Sequence, residues 1–223
     1  MKMLSAFRIF KQESLDVQQV ISSDWAERRS VLNNNVNLFC WERPINPSIT
    51  AYLQNIIHKN PDYLELKVCQ DDLTVKLNKV QHTWDEVATI DGTDFWEDVR
   101  KVVHDFLEFS DDKSGTVHLK LVDDNSCTKF HTDRYTLRLF TTYIGNGTEW
   151  LPEDAVNRSG LGTTNEKIVK KPHKIKQLGT GDIGILKGEL QIRSKNRFRY
   201  GIVHRSPEIE EQGAKRIILR VDI

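Results

Sequence analysis

The sequence predicts a mainly β protein in which helices cover one outer face of a small barrel or double-sheet jelly roll. Three observations predict it. From Ser114 onward the chain breaks into short β-rich runs, GTVHLKLV, TLRLFTTYI, IVKK, GDIGILKG, LQIR, GIVH and RIILRVDI, separated by clusters of Gly, Asn, Asp and Pro. Before Ser114, apolar residues recur at the three- and four-residue spacing of helix faces. No fixed-period repeat and no low-complexity tract is present, which argues against solenoids, propellers and long linkers. The 223 residues suffice for one domain with a substantial core. A single domain over 1–223 is therefore expected, with a mostly helical cover carrying a few strands over 1–112 and the β core over 113–223.

Taken in order, the first 30 residues carry apolar positions at mixed spacing and read as helical, with Ser23 or Asp24 capping WAERRSVL. Asn33, Asn34 and Asn35 break that helix. VNLFCWERP reads as a short strand ended by Pro44, because proline has no amide proton to give to a ladder. A helix begins near Pro47, where Ile49, Tyr52, Leu53, Ile56 and Ile57 share one face, and Asn60-Pro61 stops it. The stretch YLELKVCQDDLTVKLNKV alternates like strands, yet its second half also fits a helix, and both readings stay open. Asp94 is placed to cap a helix in which Phe95, Val99, Val102, Val103, Phe106 and Leu107 form an apolar stripe, with His104 beside it.

Composition excludes some functions. With 32 basic and 32 acidic residues there is no global field to recruit nucleic acid or an anionic membrane. The basic stretch Lys167 to Lys176, and RSKNRFRYG with its interleaved Phe198 and Tyr200, read first as solvated faces, because neighbouring segments restore neutrality. No apolar run approaches the roughly 20 residues of a membrane span. The N-terminal segment has an interrupted apolar stretch and no cleavage pattern, so a cytoplasmic location is the default expectation. Cys40, Cys69 and Cys127 are odd in number and widely spaced, which fits reduced thiols rather than a disulfide framework.

The chemistry-bearing stretch is FHTDRYTLRLFTTYIGNGTEWLP. In an extended chain His131 and Asp133 point to one face, so an imidazole and a carboxylate can share one ion. The later histidines are His173 and His204, and His204 lies in the more suggestive strand context. Two histidines and one carboxylate on one side of a metal leave its other positions open, which is the non-haem iron(II) arrangement. The bland alternative is a surface pair near a turn and a satisfied strand histidine. Cys127, four residues before His131, is either a small buried hydrophobe or a fourth ligand of a zinc site. Arg138 either reaches a substrate or cosubstrate carboxylate or lies on a solvated side. Tyr143 either hydrogen-bonds a bound acid or is a core tyrosine with a wet tip. Gly145-Asn146-Gly147-Thr148 reads as a tight turn rather than a phosphate loop, with Glu149 and Trp150 beyond it near the barrel mouth.

The order of HxD, glycine-rich turn, Gly181-Asp182 hairpin, late histidine in GIVHRSP and arginine-bearing last strand resembles the double-stranded β-helix, jelly-roll or cupin-like, of iron(II)- and 2-oxoglutarate-dependent oxygenases. That resemblance implies His131, Asp133 and His204 as iron(II) ligands. It also implies that 2-oxoglutarate is gripped by Arg216, twelve residues after His204, with Arg220 four further on. An arginine fork meets a carboxylate with two parallel hydrogen bonds, which lysine cannot copy. Together with the upstream VNLFCWER, the phrases FHTDRYTLRLFTTYIGNGTEWLP, GDIGILKGE and GIVHRSP resemble the bacterial family catalogued as domain of unknown function 1826. The resemblance covers most of the chain and implies a fold and a metal site more than an activity. It also implies a link to metal homeostasis, since members occur beside zinc-responsive genes that include P-loop GTPase metallochaperones. Two functions follow as expectations: a hydroxylating iron(II)/2-oxoglutarate oxygenase of unspecified substrate, or a zinc-binding cupin-like protein using the same residues with Cys127.

Overall fold

The computed structural model describes residues 16–61, 63–189, 200–209 and 214–223. Its strands are β1 (Gln18–Ser22), β2 (Val36–Trp41), β3 (Leu64–Cys69), β4 (Ser114–Val122), β5 (Leu137–Ile144), β6 (Glu149–Leu151), β7 (Lys176–Gln177), β8 (Ile183–Lys187), β9 (Val203–Arg205) and β10 (Arg216–Asp222). Its helices are α1 (Pro47–Ile56), α2 (Leu73–Asp85), α3 (Thr93–Leu107) and the single turn α4 (Asn165–Ile168).

The strands form two sheets. The large one has the order β1-β2-β8-β5-β10-β4-β3 and the small one β7-β6-β9. His131 adds to the small sheet through an antiparallel bridge to His204. From β4 the chain crosses to the small sheet at His131, returns in β5, crosses again for β6 and β7, returns in β8, crosses for β9 and ends on the large sheet in β10. This alternation is the winding of a double-stranded β-helix. Three strands from the first 112 residues, β1 to β3, extend the large sheet at its two edges.

Period-two alternation assigns the two faces of the large sheet. Leu137, Leu139 and Tyr143 of β5, Ile183 and Ile185 of β8, and Ile217, Leu219 and Val221 of β10 pack against α1, α2 and α3 in the main core. Tyr52 and Leu53 of α1, Leu77 and Trp84 of α2, and Phe95, Trp96, Val103 and Phe106 of α3 fill that layer. Each such fully buried side chain contributes roughly 1.5–3 kcal/mol through area removed from water. Between the sheets lies a second cluster of Leu38, Cys40, Trp150, Leu178, Leu186 and Ile202 with Phe140 against it. A third, of Phe130, Leu151, Ala155, Val156, Ile168 and Val203, packs the β6–β7 connection onto the small sheet.

Local signals explain most elements. Asn46 accepts from the Ser48 amide (3.2 Å) with Pro47 in the first turn, so α1 starts where the sequence indicates. The ambiguous stretch resolves into β3 followed by α2. Several expectations are corrected. Gln18–Ser22 is a strand, not helix, because it pairs in parallel with β2. Asp24 does cap WAERRSVL, accepting from the Ala26 amide (2.8 Å), but the segment is a 3-10 helix. Asp94 does not cap α3, whose cap position is Gly92; it sits in the first turn and accepts from Ser48 Oγ and Asn46 Nδ2, tying α3 to α1. The IVKK run is not a strand, since Ile168 ends α4 and only Val169 makes a bridge, to Val156. LQIR and most of RSKNRFRYG lie outside the described residues.

Candidate metal centre

His131 and His204 exchange both main-chain hydrogen bonds, each 3.0 Å long, which places their rings 4.6 Å apart. Asp133 follows two residues later on the same face. One ligand atom from each of His131, Asp133 and His204 lies within 4.8 Å of the others. His204 Nε2 is 3.3 Å from Asp133 Oδ2, and His131 Nε2 is 3.7 Å from Asp133 Oδ1.

The opposite ring nitrogens set the chemistry. His131 Nδ1 meets the Lys129 carbonyl at 2.8 Å and His204 Nδ1 meets the Ile202 carbonyl at 3.2 Å. A carbonyl oxygen only accepts, so Nδ1 carries the proton in both rings and Nε2 of each is the atom turned to the carboxylate. This is the tautomer and orientation of a metal-binding imidazole. Asp133 Oδ2 is buried and accepts no hydrogen bond among the described residues. Burial would raise the Asp133 carboxyl, but contact with His204, then Arg138 and His131, holds it at about 2. Burial, and next His204, push His131 below its usual value, which favours the neutral, ligating form. A buried carboxylate whose Oδ2 accepts no hydrogen bond among the described residues, with one imidazole nitrogen beside each of its oxygens, fits a divalent cation, and the two-nitrogen, one-oxygen set matches the open-sided arrangement of non-haem iron.

The other predicted residues fall in different places. Arg138 faces the space between the sheets and is wholly engaged: Nη1 meets Asp133 Oδ1 at 2.7 Å, while Nε and Nη2 (3.1 Å) both donate to Asp222. All three of its nitrogens thus meet carboxylates of this chain. Tyr143 lies on the opposite face of β5, fully buried against Phe95, and donates to Asp98 Oδ2 at 2.6 Å. The structure does not bring it to the cluster. Arg216 is 4% exposed, and its Nε donates to the Asn146 carbonyl at 2.7 Å. It makes no ion pair among the described residues, and burial lowers its guanidinium to about 10. It borders a cavity of about 290 Å³ with Gly145, Asn146 and Lys215. Arg220 shares the inner face, its Nε 3.2 Å from Asp222 Oδ2. Trp150 pairs directly with His204 across the small sheet, and Glu149 is taken by Arg205 at 2.6 Å. Cys127 is exposed and is not part of the cluster.

Two supporting residues escape a reading of the sequence. Asp222 is legible there only as an acid inside the apolar strand RIILRVDI. Gly188 follows β8 where a Cβ would come within 2.0 Å of the Tyr135 carbonyl oxygen and 2.9 Å of that of Asp133, so only glycine lets the chain pass the segment that carries Asp133.

Fold and site together define a double-stranded β-helix protein with a His-Asp-His candidate metal centre. The chain belongs to the family described as a protein of unknown function, DUF1826, whose profile matches residues 22–222. Among solved structures it is similar to a candidate oxygenase from Shewanella oneidensis, at 11% identity and a TM-score of 0.44 over 92% of this chain and 89% of that one. It is similar to a full-length Neurospora crassa protein solved in complex with alpha-KG, at 11% identity and a TM-score of 0.43 over 92% and 83% of the two chains. A Pseudomonas putida prolyl-4-hydroxylase matches at 10% identity and a TM-score of 0.32 over 82% and 97%. The winding of the chain's own strands, not these similarities, defines the fold. No curated protein sequence matches the chain at a significant level. Among the described residues no helix is long and apolar enough to cross a membrane.

Proposed function

We propose that this protein is an iron(II)- and 2-oxoglutarate-dependent oxygenase that hydroxylates its substrate, with His131, Asp133 and His204 as the iron ligands. The observation that carries the reading is the convergence of two Nδ1-anchored imidazoles on one buried carboxylate, whose Oδ2 accepts no hydrogen bond among the described residues. When bound, iron(II) would supply oxygen activation coupled to oxidative decarboxylation of 2-oxoglutarate. The protein's part is to hold one side of the metal with three donors, leave the other side open and seat an anionic cosubstrate. Arg216 supports that last role, because a buried guanidinium that makes no direct ion pair among the described residues, with Glu149 acting on it only through the field, has room for an anion, and its planar fork suits a carboxylate. Arg220, on the same face, is the second candidate for the same carboxylate.

The test is anaerobic loading with iron(II), then oxygen and 2-oxoglutarate, with succinate followed by NMR. Wild type is expected to form succinate even without a prime substrate, His131→Ala none, and Arg216→Met to need far more 2-oxoglutarate. Failure of the iron-loaded wild type to convert 2-oxoglutarate, with zinc retained through purification, sinks the oxygenase reading in favour of a zinc protein built on the same three donors.

A further inference from the structure

We propose that Asp222 is a positioning residue of the metal centre, acting through Arg138; this rests on the reading that His131, Asp133 and His204 hold a divalent cation. A guanidinium 2.7 Å from a metal-binding carboxylate is a problem on its own, since it repels the cation and competes for the same oxygens. Asp222 removes both difficulties. It occupies two of the three Arg138 nitrogens in the fork geometry, Nε to Oδ1 and Nη2 to Oδ2, which neutralises the guanidinium and fixes its plane. Only Nη1 is then left to meet Asp133, and it meets Oδ1, so Oδ2 stays turned toward His204. Arg138 thus makes a directed ion pair to a single oxygen, and that sets the carboxylate's rotation.

The arrangement is rigid because Asp222 and Arg138 are direct cross-strand partners in the large sheet. Asp222 is itself 4% exposed, and its Oδ2 also lies 3.3 Å from His118 Nε2 and 3.2 Å from Arg220 Nε. Burial opposes ionisation there, but His118, Arg138 and Arg220 keep its carboxyl below the usual range. A second, half-buried pair of the same chemistry, Arg43 with Asp98, ties the segment after β2 to α3 and touches none of the three ligands, so it serves as an internal control.

The test measures zinc(II) and cobalt(II) affinity by competition with a chromophoric chelator, alongside thermal melts. Asp222→Asn is expected to weaken binding about 10–100-fold at unchanged stoichiometry. In an Arg138→Gln background the same substitution is expected to change affinity by less than about threefold, because its route to Asp133 is gone. Asp98→Asn is expected to lower the melting temperature without moving the affinity. Wild-type affinity in Asp222→Asn, or an equal loss in the Arg138→Gln background, overturns the proposal. Should Asp222→Asn not fold, the comparison of Arg138→Gln with Arg138→Gln/Asp222→Asn still decides, since a tenfold difference there overturns it. A wild-type protein that binds neither metal overturns the metal reading itself, a result distinct from binding that Asp222 does not influence.

Discussion

Asp133 sits among groups that keep it ionised in spite of burial, and this makes it a source of acid sensitivity. Its carboxyl is held at about 2 in the folded protein, against roughly 3.9 in an unfolded chain. The unfolded state therefore takes up the proton first as pH falls. The stabilisation is fully present above about pH 4 and is lost as pH drops toward 2, on the order of 2 kcal/mol for metal-free protein. Thermal melts across that window are expected to show a steeper decline for wild type than for Asp133→Asn; equal slopes would remove Asp133 from the account. The closeness of His131 and Asp133 was legible because they are two residues apart and extended backbone aims such neighbours the same way. Asp222 was not, since its partner Arg138 lies 84 residues earlier and only the β5–β10 register joins them.

At the scale of elements, the residues just after β8 brace the candidate metal centre without joining the cluster. The Glu189 amide donates to the Asp133 carbonyl (2.9 Å) and the Gly188 amide to that of Thr136 (3.2 Å), so the strand end clamps the backbone that carries Asp133. Gly188→Ala is expected to displace that backbone, lowering stability by about 1–3 kcal/mol and weakening metal binding together. Gly162→Ala is the comparison: its φ of +84° makes it strained, but nothing lies within 4 Å of the added Cβ, so only stability should fall. Melts and metal titrations of both variants check this, and unchanged metal affinity in Gly188→Ala would count against the clamp. The helices α1 and α3 were readable because their apolar stripes and starting residues are local. The strand β1 was not, because its extended form depends on parallel pairing with β2.

For the molecule as a whole, the centre joins segments that are far apart in an unfolded chain. His131 and Asp133 lie on the crossing from β4 to β5, and His204 on β9, so a metal binding all three binds the folded state only. At about 100-fold excess over its dissociation constant such a metal adds roughly 2.7 kcal/mol. For a chain of this size that corresponds to a rise of roughly 5–10 °C in melting temperature. The rise is expected with iron(II), cobalt(II) or zinc(II), should vanish with a chelator, and should be absent in His204→Ala. A wild-type melting curve that ignores all three ions would mean that the cluster binds none of them.

The sequence alone determined the β-rich second half, the helices α1 and α3, and the three residues whose side chains converge in the cluster. All of these follow from short-range periodicity or from residue types whose chemistry is self-evident. Tertiary structure alone decided which side of each strand the remaining residues occupy. Arg138 and Tyr143 stand on one strand, yet one reaches Asp133 of the cluster and the other is sealed in the helical layer with Asp98. It also decided that Cys127 stays outside the cluster and that Asp222 stands behind Arg138. The physical reason is that facing and partnership in a two-sheet fold are set by strand register and by which layer covers each face. Both are fixed by hydrogen bonds and packing between segments that local patterns do not connect.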